Sequence, residues 1–196
     1  MSGFEDAGML AVMGAPVVAE RDFAGWVELL ADPLRAKQAY WHLLLSGPEA
    51  GLAARAGLAH ADSGVRQYCA QLLDHLAASQ DDFRLLIRML ADTDPQVRLH
   101  ALHALACDRC KKSGCRPDKG EVLRPAIAIL QYDPHKQVRA MAVEVVGRWA
   151  HTDRAAATAL IECRDRDPDP SVRKKAKWYA PGGTIYRKRA PRGRAA

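Results

Sequence analysis

A short motif that ends in Val-Arg occurs four times along the chain and constrains its fold more than any other feature of the sequence. The arginines of successive copies are 32, 41 and 34 residues apart. Self-similarity at such a period is typical of proteins in which one supersecondary unit repeats along the chain. The four copies are residues 62–66, 94–98, 135–139 and 169–173, and an Asp-Pro pair at 32–33 marks a degenerate first copy.

Apolar residues follow the first three Val-Arg pairs with a helical spacing. They lie 4, 7 and 8 positions after each valine, which places them on one stripe of an α-helix. A second apolar segment precedes each of the last three motifs, and the Asp and Pro between the two segments are preferred at the N-cap and first position of a helix. Such a hairpin buries its stripe only against its neighbours. The sequence therefore predicts an all-α fold, a short right-handed α-solenoid of four to five helical hairpins.

The repeated pattern D-P-x-V-R-x-x-A resembles that of the HEAT-repeat family, in particular the bacterial HEAT-like repeats related to phycobilisome lyases. The resemblance covers roughly residues 22–180. It implies a solenoid whose binding surface is formed by the second helix of each hairpin, here called helix B, and it implies no particular reaction. The first repeat has Leu34-Arg35-Ala36-Lys37 where the Val-Arg pair belongs, so we expect this repeat to act as a cap.

The resemblance also implies a polar ladder between adjacent repeats. In that family the aspartate of the turn and the arginine of helix B usually interact across the repeat boundary. The residues to which we assign this structural role are Asp62, Asp94, Asp133 and Asp169 with Arg66, Arg98, Arg139 and Arg173.

A cysteine-bearing insertion accounts for the longest spacing between two motifs. Cys107, Cys110 and Cys115 lie within nine residues, and a Cys-x-x-Cys turn commonly supplies two ligands of a tetrahedral zinc site. His103 lies one helical turn before Cys107, and His100 lies on the same flank of the helix. These residues predict a zinc ion held by Cys107, Cys110, Cys115 and either His103 or His100.

Two other interpretations of the insertion (residues 107–120) stay open. Cys107 and Cys110 can form a reducible disulfide or a thiol sensor. The cysteines can equally be small residues that cap a helix and pack a loop, without a metal or redox role. Zinc is the one cofactor that the sequence indicates.

The positive charge of the chain is concentrated at its C-terminal end. The net charge is +6, yet no acidic residue follows Asp169 and nine basic residues do. Arginine and lysine interleaved with Trp178, Tyr179 and Tyr186 suit contact with phosphates and stacking on bases. An acidic protein partner, or a solvated tail without a ligand, fits the same charge. The candidate nucleic-acid-binding residues are Arg173, Lys174, Lys175, Lys177, Arg187, Lys188, Arg189, Arg192 and Arg194.

The chain divides into three parts by composition. Residues 1–20 form an N-terminal segment that we expect to be partly disordered, residues 21–181 form the solenoid, and residues 182–196 form a basic tail. No apolar run approaches the roughly 20 residues that cross a bilayer, and the mildly apolar start lacks a basic leader. Together with an odd number of cysteines, five, these features predict a cytoplasmic protein without a membrane segment.

No familiar catalytic motif occurs in the sequence, which has no phosphate-binding glycine loop, no GxSxG and no HExxH. We therefore predict a non-catalytic interaction or scaffold module, a monomer that binds a protein partner and is not an enzyme. The second hypothesis is a nucleic-acid-binding protein that uses the basic C-terminal end, with a zinc-stabilised cysteine loop. A HEAT-like DNA glycosylase or a lyase is the third hypothesis and rests on family analogy alone.

Overall fold

The computed structural model describes residues 18–76, 79–106 and 116–191, and every regular element in these ranges is helical. Short 3₁₀ turns at Leu29–Ala31 and Gly47–Ala50 link the first elements. The α-helices are α1 (Phe23–Glu28), α2 (Ala36–Leu45), α3 (Gly51–Gly57), α4 (Ser63–Leu76), α5 (Gln80–Met89), α6 (Pro95–Ala106), α7 (Lys119–Tyr132), α8 (Lys136–Val146), α9 (Arg154–Arg166), α10 (Pro170–Tyr179) and α11 (Thr184–Lys188).

The first ten helices form five hairpins, each made of an odd-numbered helix A and an even-numbered helix B that pack together. The B helices α4, α6, α8 and α10 pack in series as one row, and the A helices α5, α7 and α9 form a second row. Fully buried leucines such as Leu72, Leu102 and Leu160 fill the space between the rows. The structure confirms the predicted all-α solenoid of four to five hairpins.

Aspartates in the turns start the B helices. The side chains of Asp62, Asp94 and Asp169 accept hydrogen bonds from backbone N–H groups two or three residues later, at 3.0, 2.7 and 2.8 Å. Pro95 and Pro170 are the first residues of α6 and α10, where a missing N–H leaves no helical hydrogen bond unmade. The Asp-Pro pairs therefore end one helix and begin the next, as the sequence predicts.

The arginines of the helix-B motif form a ladder that joins consecutive repeats. Each of Arg66, Arg98 and Arg139 donates from Nη1 to a carbonyl oxygen of its own turn, at 2.9, 2.8 and 2.8 Å. The Nε and Nη2 edge of each guanidinium binds an aspartate of the next repeat, and such bidentate pairs are the stronger type of charged hydrogen bond. The Nε–Oδ distances are 2.7 Å for Arg66–Asp92, 2.7 Å for Arg98–Asp133 and 2.8 Å for Arg139–Asp167.

Three aspartates that the sequence analysis assigns to this ladder lie elsewhere. Asp62, Asp94 and Asp169 cap their own helices, and the ladder uses Asp92 and Asp167, two positions earlier in their turns. A carboxylate at the N-cap is held against the amides of its own helix. The carboxylate at the earlier position is therefore the one that reaches the guanidinium of the preceding repeat.

The ladder stops at both ends of the array. His60 takes the place of the aspartate in the second hairpin, and its Nε2 lies 3.3 Å from a carboxylate oxygen of Glu28. Arg173 is the last arginine of the series. It donates to the carbonyl oxygens of Asp167 and Pro168 at 2.6 and 3.1 Å, and no carboxylate among the described residues meets its other edge.

Helix α11 extends the fold beyond the predicted solenoid boundary at residue 181. Gly182 has a φ of 83°, a conformation that glycine adopts without steric cost, and it turns the chain back toward the array. His151 Nε2 donates to the carbonyl oxygen of Tyr186 at 2.7 Å, and the two rings stack with their centroids 3.7 Å apart. The first part of the basic tail is therefore a docked helix.

Both ends of the chain, residues 1–17 and 192–196, lie outside the described ranges. The expectation of a partly disordered N-terminal segment therefore stays a prediction. Within the described part, no helix combines the length and the apolar character that crossing a bilayer requires. The cytoplasmic location also stays a prediction.

Candidate functional site

The row of B helices carries a pocket of about 330 Å³. Side chains from α2, α4, α6 and α8 line it. Packed helices lie about 8–10 Å apart, so α2 and α8 can reach one pocket only if the row of helices curves around it. The face formed by the B helices is therefore concave, and the pocket lies in its first four hairpins.

The pocket combines apolar walls with a few ionisable groups. Tyr40, Leu99 and Met141 contribute aromatic and apolar surface from three different helices. A small number of polar groups in an apolar concavity is the usual composition of a small-molecule site. The ionisable groups of the lining are Asp74, His75, His100 and His103, besides the Tyr40 phenol.

Asp74 on α4 and His103 on α6 face each other in this pocket. The Asp74 side chain is 6% exposed, and its Oδ2 lies 3.5 Å from Nε2 of His103. The two groups form an ion pair when the imidazole is protonated. The His103 side chain is 55% exposed, so a ligand in the pocket can reach it. An imidazole beside a buried carboxylate is a pair suited to general acid–base chemistry.

His100 lies one turn before His103 and is held in the neutral form. The amide nitrogens of Gln67 and Gln71 approach its Nε2 at 3.4 and 3.2 Å, and an amide N–H only donates, so this ring nitrogen accepts. Burial lowers the pKa of His100, the charge of His103 lowers it further, and Asp74 acts in the opposite direction. His100 therefore carries its proton on Nδ1 and is uncharged at neutral pH.

We expect the protein to lose stability on acidification through His100. The pKa of His100 lies below its ordinary value of 6.5, so the unfolded chain takes up this proton first. The contribution of neutral His100 to the free energy of unfolding is therefore complete above pH 6.5 and is lost as the pH falls below 6.5. Between about pH 7.5 and about pH 5, the Tm of His100→Gln should therefore fall less than that of the wild type. His75→Gln, an exposed histidine of the same pocket, should follow the wild type, and equal falls for all three proteins would contradict the assignment.

The basic residues predicted to bind nucleic acid are spread over several environments. Lys174, Lys177 and Arg187 line a groove at the C-terminal end of the solenoid. Lys175 points elsewhere, with its Nζ 2.5 Å from Oε1 of Glu144. Three of the predicted residues therefore meet in one groove. Of the others, Arg173 is bonded to the carbonyl oxygens of its own turn, as described for the ladder. Lys188 is exposed, and the Arg189 guanidinium lies 5.3 Å from the ring centroid of Tyr179. Arg192 and Arg194 lie outside the described ranges.

The predicted zinc ligands lie largely outside the described residues. Cys107, Cys110 and Cys115 fall in the segment 107–115, so the zinc site and the alternative disulfide stay predictions. His103, assigned as the fourth ligand, lies in the pocket beside Asp74. Within 18–76, 79–106 and 116–191, no three metal-binding side chains come together.

The two cysteines within the described ranges are buried thiols. Burial raises the pKa of Cys69 and of Cys163 to about 12. Both thiols are therefore protonated at neutral pH and unsuited to act as nucleophiles.

Asp74 has no role that the sequence predicts, yet it lies in the pocket. The sequence does contain a pattern that indicates this face: one equivalent position of the B helices is polar in successive repeats. This position holds Gln71 in α4, His103 in α6 and Glu144 in α8, and it marks the exposed inner face. The pattern identifies the exposed inner face of the B helices. It does not show that Asp74, one turn after Gln71 on α4, lies beside His103 on that face.

Comparison with solved structures places the chain among helical repeat proteins. It is similar to a chain in the complex of CpcE and CpcF of phycocyanin lyase from Nostoc sp. PCC7120, with a TM-score of 0.64 and 20% sequence identity, covering 79% of this chain and 95% of that chain. The chain has a HEAT/armadillo-like repeat fold. No protein-family model matches the chain, and no curated protein matches it in sequence.

Two designed proteins show weaker similarity. One is an engineered protein, with a TM-score of 0.49 and 21% identity over 80% of this chain and 76% of that chain. The other is a designed armadillo repeat protein in complex with the peptide (KR)4, with a TM-score of 0.49 and 16% identity over 79% of this chain and 78% of that chain.

The similarity to a phycocyanin lyase chain corrects two functional predictions. The predictions of a non-catalytic scaffold and of no enzyme are wrong, because the same solenoid is found in a lyase over 95% of that chain. The absence of familiar catalytic motifs was an unsound basis for them. Those motifs belong to other folds, and a helical repeat can place reactive side chains on its concave face without any of them.

Proposed function

We propose that the chain is a lyase-type enzyme subunit whose concave face binds an organic substrate in the pocket of α2, α4, α6 and α8. The observation that carries the proposal is the Asp74–His103 pair beside neutral His100 in a largely apolar concavity. The likeness of fold to a phycocyanin lyase chain supports the reaction class. Because that chain is part of a complex of two proteins, we also expect a protein partner.

The ionisable groups of the pocket fit the proton transfers that such a reaction needs. A lyase forms or breaks a bond by addition or elimination, so one atom of the substrate loses a proton and another gains one. His103 is suited to accept the proton, because Asp74 at 3.5 Å stabilises the resulting imidazolium. Neutral His100 is suited to donate a hydrogen bond from Nδ1 to an atom of the substrate that gains negative charge. The two imidazoles differ because a carboxylate faces one and amide groups face the other.

The composition of the pocket favours a flat, conjugated substrate that carries N–H groups. Tyr40, Leu99 and Met141 offer contact to its faces, and the negative charge of Asp74 in the pocket wall favours N–H groups there. A volume of about 330 Å³ lies at the lower end of the range for small-molecule sites, so the pocket holds part of a larger molecule. Phycocyanin is a pigment protein, and an open-chain tetrapyrrole pigment such as biliverdin is therefore a suitable probe.

Titration with biliverdin tests this proposal. The wild-type protein should bind the pigment saturably, with a shift in its visible absorption. Asp74→Asn removes the charge at constant size and should weaken binding roughly 10- to 150-fold, because a polar interaction with a charged group contributes about 1.5–3 kcal/mol. His103→Gln removes the imidazole beside Asp74 and should reduce the absorption shift.

Asp81→Asn is the matched control for the Asp74 variant. Asp81 is an exposed carboxylate on α5 that pairs with Arg84, outside the lining of the pocket. This variant should bind the pigment as the wild type does and should keep the absorption shift. Absence of saturable binding by the wild type, or an equal loss of affinity in the Asp74 and Asp81 variants, would refute the proposal.

A further inference from the structure

A second concavity lies at the C-terminal end of the solenoid, where α9, α10 and α11 come together. Its volume is about 690 Å³, within the range of small-molecule sites. The lining includes the end of α9, one side of α10, the turn at residues 181–183 and the start of α11. It shares no residue with the pocket of the proposed lyase site, so it is a separate feature of the molecule.

The charge of this groove is strongly positive. Four basic side chains line it, and no acidic side chain from the described part of the chain does. One of the four, Arg164, is offset by Asp165, which its Nε and Nη2 bind at 2.6 and 2.8 Å. The other three, Lys174, Lys177 and Arg187, meet no carboxylate among the described residues. The groove therefore presents three uncompensated positive charges.

An exposed indole forms the aromatic part of the same groove. Trp178 is 41% exposed, and Nζ of Lys174 lies 5.9 Å from its ring centroid. The turn after α10 packs tightly against the end of that helix, since a Cβ at Gly183 would collide with the carbonyl oxygens of Lys177 and Trp178. Exposed aromatic rings among basic side chains suit the stacking of a planar base together with contact to phosphate.

We propose that this groove binds a nucleotide unit, with its phosphate at Lys174, Lys177 and Arg187 and its base stacked on Trp178. A phosphate joined to a planar base occurs both in free mononucleotides and in single-stranded nucleic acid. The site is a built groove rather than the basic tail as a whole. It does not depend on the proposed lyase function, because the lining residues are different.

Fluorescence anisotropy with a labelled oligothymidylate tests the site in the full-length protein. Binding should be saturable at low salt and should weaken at about 0.2 M salt, as expected for phosphate contacts. Trp178→Ala should weaken it roughly 5- to 150-fold, because stacking on an aromatic side chain contributes about 1–3 kcal/mol per base. Trp178→Leu keeps apolar bulk in the helix and should lose affinity as well. Displacement by AMP would identify a mononucleotide site, and displacement by oligonucleotides alone would identify a nucleic-acid site.

Lys177→Gln and Lys175→Gln form a matched pair for the charge contribution. Both lie on α10 and remove one charge, but Lys175 is paired with Glu144 and lies outside the groove. Binding should weaken several-fold in the Lys177 variant and change little in the Lys175 variant or in the double variant Arg192→Gln, Arg194→Gln. The proposal is overturned by no binding at low salt, by unchanged binding in the Trp178 variants, by equal losses in the matched pair, or by equally effective displacement with polyglutamate.

Discussion

Replacing Arg139 with alanine should lower the free energy of unfolding by about 3–5 kcal/mol, because it leaves a buried carboxylate without its counter-charge. The side chains of Arg139 and Asp167 are 8% and 3% exposed, and two hydrogen bonds join them at 2.8 and 3.0 Å. The substitution also removes the donor to the carbonyl oxygens of Asp133 and Pro134. Thermal unfolding followed by circular dichroism should show a midpoint lowered by roughly 6–20 °C.

Arg173 provides a natural control for this prediction. It makes the same contacts to the carbonyl oxygens of its own turn, but it has no carboxylate partner among the described residues. Arg173→Ala should therefore lower the unfolding free energy by no more than about 1.5 kcal/mol. The double variant Arg139→Met, Asp167→Leu should recover part of the stability, because an apolar pair leaves no buried charge but still loses the hydrogen bonds to the turn carbonyls and to the Asp169 N–H. A Tm for Arg173→Ala as low as that of Arg139→Ala would contradict this account of the ladder.

The ladder shows that the sequence predicts the helical hairpins better than the side-chain contacts between them. The helical hairpins were predictable because the period of the motif and the apolar positions after each valine directly encode a stripe. The aspartates that accept hydrogen bonds from the ladder arginines were not predictable, because two of the turns each contain two aspartates. Asp92 and Asp94, or Asp167 and Asp169, are chemically alike, and only the path of the backbone decides which one caps the helix and which one faces the preceding arginine.

The pocket illustrates a different limit of sequence analysis. The polar positions of the B helices indicate which face is exposed, so the inner face of the solenoid was predictable. The pocket itself depends on the curvature of the whole array, which brings Tyr40 of α2 and Met141 of α8 to one point. Curvature is the sum of small rotations between repeats, and these depend on the packing of many side chains rather than on a local pattern.

Asp82 holds neighbouring A helices together, and Asp82→Ala should lower the unfolding free energy by about 2–4 kcal/mol. Its fully buried carboxylate accepts from Nε of Arg55 at 2.5 Å, and thereby links the end of α3 to the first turn of α5. The same carboxylate accepts from the backbone N–H and hydroxyl of Ser79 at 3.0 Å each, as part of a capping box. Alanine removes the ion pair and the carboxylate half of the capping box together, and urea unfolding measures the loss.

Arg55→Ala separates these two contributions, because it removes the ion pair and leaves the capping box in place. The two substitutions should also differ in their dependence on pH. The Arg55 guanidinium is about a third exposed in the wild type, so water solvates it after Asp82→Ala. After Arg55→Ala, the buried carboxylate of Asp82 has lost its counter-charge but keeps its hydrogen bonds to Ser79, and acidification removes the uncompensated charge. The stability deficit of Arg55→Ala relative to the wild type should therefore shrink between about pH 7 and about pH 4, whereas that of Asp82→Ala should not. A deficit of Arg55→Ala that is constant over this range would contradict the proposed effect of the uncompensated Asp82 charge, and the absence of any deficit at pH 7 would show that the ion pair does not stabilise the array.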